Sequence, residues 1–182
     1  MNNSEKMLSA IEAQDLVQAE QWFEKALLED SDSILLDLAE YLESIGFFLQ
    51  AKRIYNKLAP LYPQVNINLA AIASEDGDLE EAFGYLEEVR SNDPWYVNAL
   101  LIKADLYQME GLPDVAREKL VEASQLSDDS IIAFGMAEID FELGNFTQAI
   151  KEYASLDNRM IYEQTGISTY QRIGVSYASL GK

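Results

Sequence analysis

The sequence predicts an all-α solenoid of antiparallel helix pairs. Three observations carry this: small residues recur every 31 to 34 positions, a turn glycine keeps the same period, and apolar side chains follow helical spacing. The small residues are Ala19, Ala51, Ala82, Ala116 and Ala149, at gaps of 32, 31, 34 and 33. Five residues before them stand Gly46, Gly77, Gly111 and Gly144, with Gln14 in that place in the first unit and Gly181 continuing the series. Four residues after each alanine come Phe23, Tyr55, Leu86, Leu120 and Tyr153, so small and large side chains share one helix face.

The elements follow in order. Helices are expected over 4–13 and 16–29, 32–45 and 47–61, 64–76 and 78–91, 95–110 and 112–126, 129–143 and 145–156, and 167–180. The best-defined stretch is Gly77–Pro94, where the glycine ends one apolar segment and the Asp78 side chain can accept from free N–H groups at the start of the next. Glu80 and Glu81 favour the positive end of that helix, and Pro94 stops it. Pro63 closes another unit, with Ser31 and Asp128 as capping substitutes in two more. From Gly144 to Gly181 the gap widens to 37, which predicts an insertion or short turn near Asn158–Gly166, before a helix capped by Ser168 and Gln171. The chain stops where the second helix of a sixth unit is due, so a truncated array is expected. The apolar side chains Ile173, Val175, Tyr177 and Leu180 then need cover, which predicts self-association or a partner contact through that helix.

In this order of small, aromatic and proline positions the chain resembles the tetratricopeptide repeat, whose unit is about 34 residues long. The resemblance runs from about Ser4 to Gly181 and implies a right-handed superhelical solenoid. It divides one domain, 1–182, into repeats of about 1–31, 32–63, 64–96, 97–129 and 130–160, with a partial unit at 161–182. The tryptophan early in the first helix of the family repeat is replaced by Leu35, Asn66, Leu100, Ala133 and Tyr170. Looser packing in the third and fifth units is the expected consequence.

Composition narrows the chemistry. There are 32 acidic and 13 basic residues, and the formal charge of −19 repels nucleic-acid backbones and anionic lipid. No apolar run reaches the roughly 18 residues of a membrane helix, and the N-terminus lacks a positively charged segment followed by an apolar one. A cytoplasmic location is the simplest reading. The chain has no histidine and no cysteine, which removes Ser-His-Asp and Cys-His nucleophiles, thiolate and histidine zinc sites, and the usual proton shuttle at neutral pH. Carboxylate pairs such as Glu80–Glu81 and Glu87–Glu88 read as solvated helix faces. No enzyme, cofactor or metal is expected.

The array offers a surface instead. The resemblance implies that fixed positions of each first helix face a concave groove. Those positions include Leu36, Glu40 and Glu43 in the second unit, Ile67 in the third, Leu101, Asp105 and Met109 in the fourth, and Phe134, Glu138 and Phe141 in the fifth. The groove is then acidic, with an apolar stripe of Leu36, Ile67, Leu101 and Phe134. A chaperone-tail carboxylate would be repelled there. The expected function is a protein-interaction scaffold binding a basic peptide or helix with apolar anchors; the alternatives are oligomer assembly and a signalling-peptide sensor. The same stripe could equally be core. Lys103 and Asp140 are placed to pair between adjacent units, against a Lys103 whose stem runs out to water.

Overall fold

The computed structural model describes residues 1–181. Among them it has twelve helices and no strand. The fold class is all-α, built of helix pairs. In the first half these are α1 (Asn3–Glu12) with α2 (Leu16–Glu29), α3 (Asp32–Ser44) with α4 (Phe48–Leu58), and α5 (Val65–Glu75) with α6 (Leu79–Glu87). The second half pairs α7 (Tyr96–Met109) with α8 (Pro113–Ser124) and α9 (Ser130–Glu142) with α10 (Phe146–Ala154), followed by α11 (Asn158–Thr165) and α12 (Thr169–Ser179). The chain divides into two compact units, residues 1–89 and residues 90 onward.

The period has a backbone cause. Gly46, Gly77, Gly111 and Gly144 all turn the chain with φ between +74° and +84°, a region where any Cβ is disfavoured. Gln14, in the corresponding place, adopts φ +60° without being glycine. After these turns Asp15 and Asp78 cap the next helices, accepting from Gln18 N at 3.0 Å and Glu81 N at 2.9 Å. Two capping expectations change. Asp129, rather than Asp128, caps α9 by accepting from Ile131 N at 3.1 Å, and Ser31 precedes α3 without a side-chain cap bond. Helix α4 stops at Leu58 rather than running to 61, because Pro60 has no N–H to continue the ladder.

In the first unit the repeat residues Ala19, Phe23, Ala51 and Tyr55 are buried with Leu35, Leu42 and Leu69 in one core. In the second, Ala116 and Leu120 pack with Leu100 and Ile132, while Ala149 and Tyr153 pack with Phe134 and Ile161. The widened gap is the short helix α11, capped by Asp157 and ended by Gly166 at φ +73°. Helix α11 sits against α9 and α12, and α12 returns to pack on α10. The Ser168 hydroxyl accepts from Gln171 N at 3.4 Å at the start of α12.

Candidate functional site

The second unit carries a cleft of about 320 Å³ between α7 and α9. Its walls are Leu101, Asp105 and Gln108 from α7 and Ile131, Phe134, Gly135 and Glu138 from α9, and Leu120 of α8 also lines it. Residues four apart on a helix share a face, which brings Leu101 beside Asp105 and Phe134 beside Glu138. Gly135 makes the close approach of α9 to α8 feasible: a Cβ there would stand 3.0 Å from Leu120 Cδ1. Four of the residues expected in the groove therefore meet in one place.

They differ in how free they are. Phe134 is 6% exposed and packs on Tyr153 at a ring separation of 6.2 Å, so its ring is core and only its edge lines the cleft. Glu138 is already engaged. It accepts a hydrogen bond from the Tyr153 hydroxyl, and Arg172 of α12 donates to it from Nε at 2.9 Å and Nη2 at 2.7 Å. Asp105 takes part in no hydrogen bond or ion pair found among the described residues. Its carboxyl opens partly to water, but the apolar wall beside it hinders hydration and pushes its pKa above the usual carboxylate value. Leu101 is half-buried against the neighbouring core.

The other expected groove residues lie elsewhere. Met109 is exposed beyond the cleft. Phe141 is half-buried, edge-on to Phe146 at 5.7 Å and Tyr153 at 6.5 Å, with the Arg172 guanidinium 4.8 Å above its ring, so it is a packing residue. In the first unit Leu36 packs on the core, Ile67 is half-buried and Glu40 is exposed. Glu43 accepts from the Tyr55 hydroxyl at 2.7 Å and Asn68 Nδ2 at 3.2 Å. None of these four lines that unit's own cleft of about 280 Å³ between α1 and α3. That cleft uses Ile34, Asp37, Leu38 and Tyr41, the adjacent stripe of α3, facing Ser4 and Leu8. The stripe of Glu43 instead looks toward Asn68 of α5, which is why family positions did not find the cleft.

Asp140 is buried and bound by Arg117 of α8 at 2.9 Å and by Asn145 Nδ2 at 3.0 Å. Arg117 also reaches Glu152 at 3.0 Å, so two carboxylates share one guanidinium. Burial pushes the Glu152 pKa up, and its Oε2 is a buried oxygen with no hydrogen-bond partner among the described residues. No group of metal-ligating side chains occurs among the described residues, and no helix is long and apolar enough to cross a membrane.

Comparison with known proteins agrees with this architecture. Residues 108–161 match the family model described as YpiA-like, tetratricopeptide repeats. The chain is similar to tetratricopeptide-repeat proteins. It is 29% identical over 163 residues to the TPR repeat-containing protein YpiA of Bacillus subtilis (strain 168), covering 87% of this chain and 38% of that relative. The chain thus spans less than half the length of that relative. In structure it is similar to a tetratricopeptide repeat protein from Parabacteroides merdae ATCC 43184, with TM-score 0.66 and 17% identity over 99% of this chain and 73% of the other. It is also similar to YrrB, described as a TPR protein with an unusual peptide-binding site, with TM-score 0.60 and 18% identity over 86% of this chain and 82% of that one. At these identities the likeness establishes the fold. Proteins of this fold are typically non-enzymatic scaffolds for protein–protein interaction.

Proposed function

We propose that this chain is a non-catalytic, cytoplasmic docking module whose cleft between α7 and α9 takes a lysine or arginine side chain from a protein partner. The observation that carries the reading is Asp105: an unpaired carboxylate at an apolar wall, in a cleft whose other carboxylate, Glu138, is already neutralised by Arg172. A basic side chain is amphipathic, so its aliphatic stem covers Leu101 and the exposed edge of Phe134 while its charged end meets Asp105. Ligand charge and apolar anchor then sit on the same residue. The net charge of −19 steers such a segment inward over a range that added salt shortens. Partners in this reading are proteins, a second copy of the chain among them. The peptide-binding site named for YrrB supports the general idea that this fold presents peptide surfaces.

The test is an amide-shift titration of the isotopically labelled chain with a short peptide of alternating leucine and lysine, and with a twin carrying norleucine for lysine. The lysine peptide is expected to shift the amides of Leu101, Asp105 and Gly135 and to lose affinity as salt rises. Asp105→Asn should abolish its advantage over the twin while leaving the melting temperature at or above that of the parent. Equal binding of the two peptides, or an unchanged preference in Asp105→Asn, overturns the proposal.

A further inference from the structure

Asp105 has a neighbour in the α7/α9 cleft whose polar atoms are also unused. Gln108 stands three residues further along α7, so the two side chains share a helix face, and both line the cleft. The Gln108 side chain is half-buried, and its amide makes no hydrogen bond among the described residues. A charged acceptor and a neutral one therefore stand side by side, next to an apolar wall of Leu101, Leu120, Ile131 and Phe134.

We infer that this cleft selects arginine over lysine and that Gln108 decides the choice, an inference that rests on the reading of the cleft as a docking site for a basic side chain. The partner is then a protein segment that presents an arginine next to apolar residues. The two cations differ in how they use acceptors. A lysine ammonium is a compact, strongly hydrated point charge: Asp105 alone answers its charge, and stripping its water against an apolar wall is costly. An arginine guanidinium is planar, weakly hydrated and carries five N–H donors in a fixed fork. One N–H pair can meet the Asp105 carboxylate and another N–H the side-chain oxygen of Gln108, while the flat face lies on apolar carbon. The same unit already holds an arginine in this manner. Arg172 gives two N–H groups to Glu138 while its guanidinium lies 4.8 Å from the centre of the Phe141 ring. Glu138 and Phe141 are three apart on α9, the spacing of Asp105 and Gln108 on α7. With Glu138 engaged by Arg172, the acceptors left for an incoming fork are those on α7.

The experiment is calorimetric titration of the whole chain with three short leucine-flanked peptides that differ at one position, which is arginine, lysine or norleucine. The arginine peptide is expected to bind about tenfold tighter than the lysine peptide, the worth of one charge-assisted hydrogen bond, and the lysine peptide tighter than the norleucine one. Gln108→Met keeps the length of the side chain and removes its amide, and Gln108→Ala removes the amide with less bulk. In both variants the arginine peptide is expected to fall to the lysine level, with the lysine affinity and the helical signal unchanged. Equal affinity for arginine and lysine, both above norleucine, overturns the inference and leaves the docking reading standing. An arginine preference that survives both variants overturns the assignment of Gln108. Equal affinity for all three peptides, or binding of none, sinks the docking reading and the inference together.

Discussion

Arg172 grips Glu138 with two parallel bonds of 2.9 and 2.7 Å, tying α12 to α9 and cancelling a carboxylate in the α7/α9 cleft. The same carboxylate accepts the Tyr153 hydroxyl. Glu43 repeats the motif in the first unit with Tyr55 and Asn68. In both units an acid on a first helix binds the repeat tyrosine of its own second helix and a donor on a later helix.

Arg172→Leu should therefore cost more than the loss of a surface ion pair. It leaves Glu138 partly buried with two donated hydrogen bonds fewer, and a cost of about 1–2 kcal/mol is expected. Urea unfolding with an unchanged m-value checks this, and Glu138→Gln, which keeps an acceptor for Tyr153, should recover part of the loss in the double variant.

Phe134 and Leu101 share a cleft but not an energetic role. Phe134→Ala empties a buried site against Tyr153 and should cost about 3–4 kcal/mol, whereas the half-buried Leu101→Ala should cost about 1 kcal/mol. Thermal melts of the two variants decide it, with equal losses contradicting the assignment of Phe134 to the core.

Gln14 occupies the left-handed turn that glycine fills in the later units, at φ +60°. Gln14→Gly relieves that strain and should raise stability by about 1 kcal/mol, seen as a higher urea midpoint. The reverse change, Gly111→Gln at φ +74°, should lower it by a similar amount.

Glu152 makes stability depend on pH. Burial raises its carboxyl pKa in the folded chain, despite Arg117 of α8 and Gln148 of its own helix and aided by Asp140 of α9. The folded state then holds the proton more tightly than the unfolded chain. The penalty is absent below the ordinary carboxylate value of about 4.3 and complete above the raised one. Glu152→Gln keeps one acceptor oxygen for Arg117 and should be more stable than the parent at neutral pH, with the difference fading as pH falls toward that value. A pH series of urea melts measures it.

Much of the architecture is legible because repeat turns are local chemistry. Gly46, Gly77, Gly111 and Gly144 must adopt positive φ, and Ala82 and Ala116 sit where helices meet, so spacing alone locates the pairs. The extra helix α11 shows only as a widened gap, and the stop of α4 was marked by Pro60, a residue the period itself does not contain. The cleft was legible in part. Leu101, Asp105, Phe134 and Glu138 follow from helical register, while the contribution of Leu120 and Gly135 depends on how closely α8 and α9 approach.

By itself the sequence determined the all-α repeat, the turns and the excess of negative charge, because each depends on residues near one another in the chain. Which carboxylates remain available was decided by tertiary structure alone. Glu138 and Asp105 look alike in sequence, yet one meets Arg172 from 34 positions away and the other meets an apolar wall. A charge is free or spent according to what packing brings within about 3 Å of it, and helical spacing carries no record of that.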